Sequence, residues 1–412
     1  MGNYIIITPF FPSPNSFRGP FVYDYVRAIQ RLDFFDNVIV MVPTNVLNVQ
    51  EGYTYQGIRV YYFPMINMPS YIFNGTLNWL NSILFLKRLR NLKIRIEDIA
   101  IAHGHTSTFG AFALALKKRN KKITTLLHHH DPDPYTIRNG KFAGNLLNLW
   151  IRAKINQSIF RKIDIHVCVS NYVKSNLTLF PAQSYSEYFQ SYIKRLHQAR
   201  KLHLKPTTFK RIEVLYNGVD LSKFHELPNP SNTESYTIGC IANFIDWKSQ
   251  LTLLKAFSIL NQEFSKINII LKFIGSGPTL NECKDYVECN HLTKKVEFLN
   301  EVDHSDLPAI INTFDLFVLP SFFEGFGCVF TEAAACSIPY ICCKGQGAYE
   351  FLTEDERDLW SIEPEDYHKL AILIGDQIKH PKVQHYRYPL DINVLVADFI
   401  NKIANEPDSS IH

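Results

Sequence analysis

The sequence has few cysteines, and their placement excludes two classes of protein. Eight are spread through 412 residues, and only Cys342 and Cys343 are adjacent. Small disulfide-stabilised domains have a much higher cysteine density, and structural zinc sites usually show paired CxxC spacing. We therefore expect a reducing compartment and no structural zinc.

Long apolar runs are also missing. No stretch approaches the roughly 20 apolar residues that a membrane-spanning helix needs. Residues 71–90 come nearest, but Asn74, Asn78 and Asn81 interrupt them, which suits an amphipathic helix. Residues 1–14 have no basic segment ahead of a short apolar run, so they predict a first buried strand and not a signal peptide. A cytoplasmic protein is expected.

Acidic residues are scarce in the first half of the chain. Residues 1–212 carry 28 Lys and Arg against 10 Asp and Glu, whereas residues 213–412 carry 15 against 29. Two interpretations stay open: opposite charge helps two lobes to approach, or the basic lobe faces an anionic surface, a membrane or an acidic substrate. The basic residues are not interleaved with a recognisable nucleic-acid module, so no nucleic-acid partner is predicted.

The chain does contain the pattern of two α/β domains. Short β-branched runs alternate with longer helical patterns, which is typical of parallel sheets buried on both faces. We predict two doubly wound Rossmann-like domains facing each other across a cleft, in residues 1–212 and 213–388, and a C-terminal helix in 389–412 that crosses back to the first domain. The predicted strands are 4–8, 37–43, 99–105, 122–130, 163–170, 236–244, 268–277, 295–300, 314–321 and 339–343.

Several polar residues and glycines follow these predicted strands. In parallel sheets of this kind, ligands bind beyond the carboxyl ends of the strands. The candidates at these ends are therefore His103, His105, His128, His129, His130, Gly275, Gly277 and Glu324.

Residues 320–339, PSFFEGFGCVFTEAAACSIP, place two carboxylates around a glycine-rich bend. The pattern predicts a strand end, a loop with Glu324, and a helix with Glu332 in its first turn. Amides near Gly327 and Cys328 would then point out of a helix N-terminus, which favours a diphosphate, while the carboxylates suit sugar hydroxyls. The alternative is that Glu332 only complements the helix dipole and Glu324 is a solvated loop charge.

This segment resembles the E-x7-E region of the retaining glycosyltransferases of the family 4, group 1 type. The resemblance continues, in the expected order, over most of the chain. It implies the two-domain GT-B architecture and a nucleotide diphosphate sugar, UDP- or GDP-linked, as the donor. The further matching segments are FPSPNSFRGPFVYDYVRAI (11–29), VCVSNYVKSNL (167–177), VLYNGVDLSKF (214–224) and FIGSGP (273–278).

The resemblance also implies roles for individual residues. Glu332 would hold the nucleotide ribose hydroxyls, Lys248 would neutralise the donor diphosphate, and Glu324 would bind hydroxyls of the donor sugar. Backbone amides of Gly325, Phe326 and Gly327 would assist Glu324, with Cys328 beside them. The loop glycines Gly275 and Gly277 belong to the same donor side.

Two positions depart from the family pattern. An arginine commonly stands five residues before the lysine, and here that position is Asn243, so one charge-assisted contact is lost or supplied elsewhere, for instance by Arg18. Gly19 matches the glycine that lets the first loop approach the phosphates, although the common second glycine is absent. Gly19 is alternatively a turn glycine before Pro20.

The histidines leave a register open. The family has a histidine at this strand end, and both His128 and His130 have the matching spacing to an aspartate. We favour His130 as the catalytic-site residue, with His128 packed beneath it. Three successive histidines also resemble a metal site, but consecutive strand residues point to opposite faces, so no metal is predicted. His103 and His105 resemble the strand end on the acceptor side.

We therefore predict transfer of a sugar, with retention, to a glycan or lipid-linked acceptor, without a cofactor beyond the donor itself. A nucleotide-sugar epimerase and a catalytically weakened binding subunit remain alternatives. Residues 184–211 carry a dense basic stretch with interspersed leucines, which predicts peripheral docking on an anionic membrane. Its alternative is a surface helix packed on its own lobe.

Overall fold

A computed structural model gives the structure of the chain as two compact units. Unit 1 comprises Met1–Tyr216 and Asn393–His412, and unit 2 comprises Asn217–Ile392. The boundaries predicted from the sequence, after residues 212 and 388, are close to these divisions. The structure describes residues 2–14, 16, 18–47, 49–66, 75–131, 137–138, 141–142, 146–181, 205–228 and 235–405.

Unit 1 is built on an eight-stranded sheet with the order β10-β9-β6-β5-β1-β2-β4-β3. All neighbours pair in parallel except β3 and β4, which form an antiparallel hairpin at one edge. This hairpin was not predicted. The main strands are β1 (Asn3–Ile7), β2 (Val38–Thr44), β3 (Gly52–Tyr55), β4 (Ile58–Pro64), β5 (Ile99–His105), β6 (Thr124–His129), β9 (Ile165–Cys168) and β10 (Ile212–Val214), with a separate two-stranded pair, β7 (Ile137–Arg138) and β8 (Lys141–Phe142).

The helices of unit 1 pack against this sheet and bury its apolar side chains. Phe63, Phe85 and Phe112 join a strand and two helices in one cluster, with ring centroids 5.0 to 5.2 Å apart. The helices are α1 (Pro20–Arg31), α2 (Asn78–Asn91), α3 (Gly110–Arg119), α4 (Leu146–Phe160), α5 (Asn171–Thr178) and, from the end of the chain, α13 (Ile392–Asn405).

An acidic side chain ties three elements of unit 1 together. The Asp164 carboxylate accepts hydrogen bonds from the backbone and hydroxyl of Thr125 at 2.9 and 2.8 Å, and it forms ion pairs with Lys117 and Lys210. Burial alone would raise the pKa of Asp164, but these hydrogen bonds lower it to about 2. The carboxylate therefore stays charged and holds the start of β6 near β9.

Unit 2 has a six-stranded, fully parallel sheet with the order β13-β12-β11-β14-β15-β16. Its strands are β11 (Ser235–Ile241), β12 (Asn268–Ile274), β13 (Val296–Leu299), β14 (Leu316–Val318), β15 (Tyr340–Cys343) and β16 (Ser361–Ile362). Its helices are α6 (Gln250–Glu263), α7 (Leu280–Cys289), α8 (Leu307–Ile311), α9 (Cys328–Ala335), α10 (Gly347–Phe351), α11 (Arg357–Trp360) and α12 (Tyr367–Lys379).

Both sheets have the strand order of doubly wound folds. In each sheet, the chain first adds strands on one side of its first strand, three beyond β1 in unit 1 and two beyond β11 in unit 2. It then returns and adds the remaining strands on the other side. The order reverses between β1 and β5 in unit 1 and between β11 and β14 in unit 2. The prediction of two doubly wound Rossmann-like domains is confirmed, and these two reversal points are where ligand sites are expected.

No helix within the described residues combines the length and apolar character needed to cross a bilayer. Within residues 71–90, the structure describes 75–90 and places α2 there from Asn78 onward. Of the basic stretch 184–211, residues 184–204 lie outside the described residues, so its predicted membrane contact stays a prediction.

Candidate functional site

The loops that follow β11 and β14 meet at the reversal point of unit 2. The backbone carbonyl of Trp247 accepts hydrogen bonds from the Ser321 hydroxyl at 3.0 Å and from the Phe322 amide at 3.0 Å. Lys248 ends the short 3-10 helix Asp246–Lys248 on the first loop. The two loops therefore hold each other in place at the carboxyl ends of adjacent strands.

An ion pair joins these two loops. The Lys248 ammonium contacts the Glu324 carboxylate, although the residues lie 76 positions apart in sequence. Only 17% of the lysine side chain and 13% of the glutamate side chain are exposed. Charges so shielded from water attract other charged groups more strongly than exposed ones do, because solvent screens them less.

The backbone around Glu324 is held by Gln346, which follows β15. The Gln346 side-chain oxygen accepts a hydrogen bond from the Glu324 amide at 2.6 Å, and its nitrogen donates to the Phe322 carbonyl at 3.0 Å. Gly347 comes so close that an added Cβ would lie 2.4 Å from the Gly325 carbonyl oxygen. Phe326 is buried with its ring 5.1 Å from that of Phe351. The acidic loop is thus fixed on several sides.

Helix α9 begins directly after this loop. Its N-cap, Gly327, has φ 78° and ψ 82°, a conformation that glycine adopts at little cost. An added Cβ at Gly327 would lie 3.0 Å from the Glu324 Cγ, so the Glu324 side chain rests against the helix N-terminus. Cys328 is the first helical residue, and the backbone amides of such a helix end attract anions.

Glu332 lies deeper in the helix than the sequence suggested. It is the fifth residue of α9, so the prediction that it falls in the first turn is wrong, because one turn spans about 3.6 residues. Its carboxylate Oε1 contacts His304 Nε2 at 2.9 Å, and the residue is only 7% exposed. His304 therefore fixes the orientation of a nearly buried carboxylate.

The glycines after β12 allow two loops to touch. An added Cβ at Gly275 would lie 2.2 Å from the Ala242 carbonyl oxygen, and one at Gly277 would lie 2.3 Å from that of Phe244. Both glycines have positive φ, 140° and 151°. Asn243 lies between these contacts as an exposed residue, and its backbone carbonyl accepts a hydrogen bond from Gln250 at 3.0 Å. Packing alone is sufficient reason for glycine at both positions.

In unit 1, the loop after β1 leads to α1. Gly19 is the N-cap of α1 with φ 86°, and an added Cβ there would lie 2.7 Å from the Phe10 carbonyl carbon. Pro20 follows at the first helical position, where its missing N–H has no cost. Arg18 is exposed on the same loop. The close approach of Gly19 is therefore to its own loop, which agrees with the turn interpretation without testing a phosphate role.

Four histidines come together at the ends of β5 and β6, beside the reversal point of unit 1 between β1 and β5. Strands β5 and β6 pair in parallel with His105 opposite His128, so residues two apart on each strand share one face of the sheet. The rings of His103 and His128 stack at 5.3 Å, those of His105 and His130 at 5.1 Å, and those of His128 and His130 at 4.4 Å. His130 is partly exposed, whereas the other three are buried.

These histidines are held in the neutral form. Burial lowers the pKa of His103, His105 and His128 well below the usual histidine range, and repulsion from a neighbouring imidazolium would lower it further. Burial also lowers the pKa of His130 to about 3. His129 points to the opposite face of the sheet, where its Nε2 lies 2.9 Å from His166 Nδ1.

Sequence reasoning missed His304 and Gln346. His304 follows β13 and Gln346 follows β15, so both obey the rule that candidate residues lie after parallel strands. Both loops did carry a local signal that could have been used, because Gln346 stands between Gly345 and Gly347 and His304 stands between Asp303 and Asp306. Of the predicted donor residues, the described structure brings Lys248, Glu324 and Gly327 into direct proximity.

Comparison with solved structures places this fold in a known class. HepE of Anabaena in complex with UDP and glucose matches with a TM-score of 0.64 and 16% identity, over 98% of this chain and 99% of that one. Sucrose-phosphate synthase from Thermosynechococcus elongatus matches with a TM-score of 0.64 and 15% identity, over 98% of this chain and 95% of that one. These likenesses show that the fold has the GT-B architecture of two Rossmann-like domains.

Family profiles identify the group. Residues 19–184 match the profile described as Glycosyltransferase Family 4, and residues 223–388 match Glycosyl transferases group 1. The chain belongs to this group 1, family 4 glycosyltransferase family, as its sequence resemblance indicated.

Curated relatives agree at modest identity. The gpi3 subunit of phosphatidylinositol N-acetylglucosaminyltransferase from Schizosaccharomyces pombe is 24% identical over 373 residues, covering 90% of this chain and 72% of that protein. The GPI3 subunit of the same enzyme from Saccharomyces cerevisiae is 21% identical over 339 residues, covering 80% of this chain and 66% of that protein. The chain thus spans about two thirds to three quarters of the length of these relatives.

Removing the Gln346 amide should loosen the acidic loop. Gln346→Ala removes the hydrogen bonds that the Gln346 side chain makes with the Glu324 amide and the Phe322 carbonyl, and leaving a buried amide unsatisfied costs about 1–3 kcal/mol. We expect the melting temperature to fall by roughly 4–8 °C for a loss of about 2 kcal/mol. The matched control is Gln262→Ala, which removes an exposed glutamine from α6. Equal melting temperatures for the two variants would contradict the role of Gln346.

Proposed function

We propose that the chain transfers a sugar, with retention, from a UDP- or GDP-linked donor to a hydroxyl of a glycan or lipid-linked acceptor. The observation that carries the proposal is the shielded Lys248–Glu324 pair, seated where strand order reverses in unit 2 and against the N-terminus of α9. A cation, a carboxylate and helix-terminal amides together suit a ligand that has both phosphates and hydroxyls. HepE, which has the same fold, is described in complex with UDP-glucose.

The diphosphate of the donor needs positive charge beside it. The stabilisation from that charge increases during the reaction. When the bond to the sugar breaks, negative charge develops on the leaving diphosphate oxygen. Lys248 and the amides at the start of α9 would stabilise that charge, because they are already oriented before the reaction begins. Glu324 holds the lysine in the site until a diphosphate competes for it.

The hydroxyl groups of the donor need acceptors. Glu332 uses Oε1 to contact His304, which leaves Oε2 to accept from the ribose hydroxyls. Glu324 and the amides of Gly325, Phe326 and Gly327 would receive the donor sugar. Because Gln346 and Gly347 fix this loop, the sugar would meet a rigid set of partners.

Retention is proposed from the resemblance to the retaining family, and the positions of the carboxylates argue against a covalent intermediate on either of them. Both belong to unit 2 beside the diphosphate position, and Glu324 is engaged with a lysine. A glycosidase pair would flank the bond to be broken, with one carboxylate free to attack. We therefore propose that the acceptor hydroxyl attacks on the face the leaving group vacates. His130 remains our candidate for the unit 1 residue in the reaction, ahead of His128, because it is the less buried of the two.

Relatives support a lipid-linked acceptor. The matching proteins from Schizosaccharomyces pombe and Saccharomyces cerevisiae are both named for a phosphatidylinositol N-acetylglucosaminyltransferase. We propose that this chain meets its acceptor at a membrane surface, with the basic first half of the chain attracted to anionic lipid. The epimerase alternative is disfavoured, because both matched profiles describe glycosyltransferases.

A binding subunit with little turnover is the second candidate. Asn243 stands where the family commonly has arginine, and the two relatives above are named as subunits of an enzyme. Donor binding without detectable transfer or donor hydrolysis by the chain alone would favour this candidate.

Loss of the donor contacts should abolish transfer without unfolding the protein. We expect Lys248→Ala and Glu332→Gln each to lower kcat/KM by roughly 30- to 1,000-fold, since one lost electrostatic contact costs about 2–4 kcal/mol in the transition state. The matched controls are Lys272→Ala and Glu297→Gln, which remove a second lysine–glutamate pair of unit 2, 3.7 Å apart. The assays use a donor that is first identified from a panel of nucleotide sugars. NMR then shows whether the product has the anomeric configuration of the donor. Wild-type kcat/KM in either site variant would sink the proposal, and inverted product would remove retention.

Restoring the arginine should tighten donor binding. The exposed Asn243 leaves room for a longer side chain, and a charge-assisted bond to phosphate is worth about 1.5–3 kcal/mol. Calorimetry with UDP or GDP should therefore show at least a tenfold lower Kd for Asn243→Arg. Asn243→Gln is the neutral control of similar length. If both variants bind the nucleotide like the wild type, Asn243 does not face the diphosphate.

Membrane docking is testable with vesicles. Wild-type protein should co-sediment with anionic but not with neutral vesicles, and salt should release it, since each basic residue contributes roughly 1 kcal/mol before screening. Changing Lys194, Arg195, Arg200 and Lys201 to Gln should abolish sedimentation. The control changes Lys255, Lys266, Lys284 and Lys295 of unit 2 to Gln, which removes the same number of positive charges. Binding that does not depend on lipid charge would rule out this docking mode.

A further inference from the structure

The buried histidines of unit 1 have unused ligand atoms. Within the described part of the chain, five ring nitrogens of this cluster find no hydrogen-bond partner, namely His103 Nε2, His105 Nε2, both nitrogens of His128 and His130 Nδ1. His103, His105 and His128 are only 0%, 1% and 3% exposed, so bulk solvent does not reach these rings. Burying a polar atom without a partner is costly, and native proteins rarely leave several together. The unpartnered nitrogens therefore suggest that a ligand binds to this histidine cluster.

Ring nitrogens of three histidines in this cluster lie close together. One ring nitrogen from each of His103, His105 and His128 lies within 4.8 Å of the other two. Ligand nitrogens around a tetrahedral zinc ion stand about 3.3 Å apart, given zinc–nitrogen bonds of about 2.0–2.1 Å. Because the His103 and His128 rings are stacked at an interplanar angle of 7°, coordination of one ion requires these rings to turn until their in-plane lone pairs point at it. His130, stacked 4.4 Å from His128, is next to the three and available as a fourth ligand.

Neighbouring groups already fix which nitrogen is free. The Tyr4 hydroxyl lies 2.8 Å from His103 Nδ1, and His130 Nε2 lies 2.9 Å from His105 Nδ1. In metal sites, the second nitrogen of a ligating histidine is usually held by such a partner, which orients the ring. Here both partners leave Nε2 open. The Tyr4 hydroxyl is itself 2.9 Å from that of Tyr25.

We propose that His103, His105 and His128 form a binding site for a divalent first-row transition metal ion such as zinc. Such ions bind neutral imidazole well, whereas the hard cations magnesium and calcium prefer oxygen ligands. The sequence disfavoured a metal because three successive residues on one strand alternate between faces. The site instead takes residues two apart on β5 and adds one from the paired strand β6. A bound ion would link β5 to β6 and, through Tyr4, to β1.

Metal binding to the full chain tests this site directly. Protein purified without a histidine tag and stripped with EDTA is titrated with Zn²⁺ by calorimetry, and its melting temperature is read with Zn²⁺ and with Mg²⁺. We expect one equivalent of Zn²⁺, a melting temperature raised by roughly 5–10 °C at 100 times the Kd, and no effect of Mg²⁺. Tetrahedral Co²⁺ absorption would report the imidazole ligands. Failure of the wild type to bind Zn²⁺ would overturn the proposal.

Variants locate the binding to this cluster. His103→Gln and His128→Gln should each lose the equivalent of Zn²⁺, and Tyr4→Phe, which removes only the orienting hydroxyl, should weaken binding about 10- to 100-fold. His166→Gln is the matched control, because it removes a buried histidine from the opposite face of the same sheet. Unchanged Zn²⁺ affinity in His128→Gln or Tyr4→Phe would place the metal elsewhere and refute the site. Tyr4→Phe keeps the test decisive if the histidine variants do not fold.

Discussion

The reversal of strand order within each parallel sheet is the constraint on which the rest of this structure depends. Loops that follow the two central strands leave the sheet toward opposite sides, so a crevice opens at their carboxyl ends. In unit 2, this geometry brings Lys248 and Glu324 together from distant parts of the chain. The amide donors of α9 start at the same place because the helix follows directly after the second loop.

Close backbone contacts give this crevice its rigidity. Gly347 lies against Gly325, and the Gln346 side chain bonds to the backbone on both sides of Phe323. A loop fixed in this way loses little conformational entropy when it binds a ligand, so more of the interaction energy is available for affinity. The same rigidity explains why residues with no direct ligand role, such as Gln346, matter to the site.

In unit 1, the alternation of side chains along a strand produces a different assembly at the corresponding edge. Because His105 pairs with His128, the histidines two positions away on each strand join the same face. His129 faces the other side and pairs with His166. Burial keeps the whole group uncharged, which suits ligation or hydrogen bonding better than charge stabilisation.

Local sequence patterns identified ten strands of the two sheets, although they missed β10 and β16, and they identified the loop and helix that carry Glu324 and Glu332. Strands such as Val38–Thr44 contain a continuous apolar run, and this signal needs no partner to be recognised. The edge hairpin of β3 and β4 was missed because β3 has only four residues, both strands mix polar and aromatic residues, and the pairing depends on a neighbour.

Pairwise contacts between distant residues could only come from the tertiary structure. Nothing in the sequence near Glu332 indicates His304, and nothing near Glu324 indicates Gln346. The sequence alone determined which strands end in candidate residues, since hydrophobic runs and their boundaries are local. Which of those residues meet was decided by strand order and register, because a shift of one residue would turn every side chain to the opposite face.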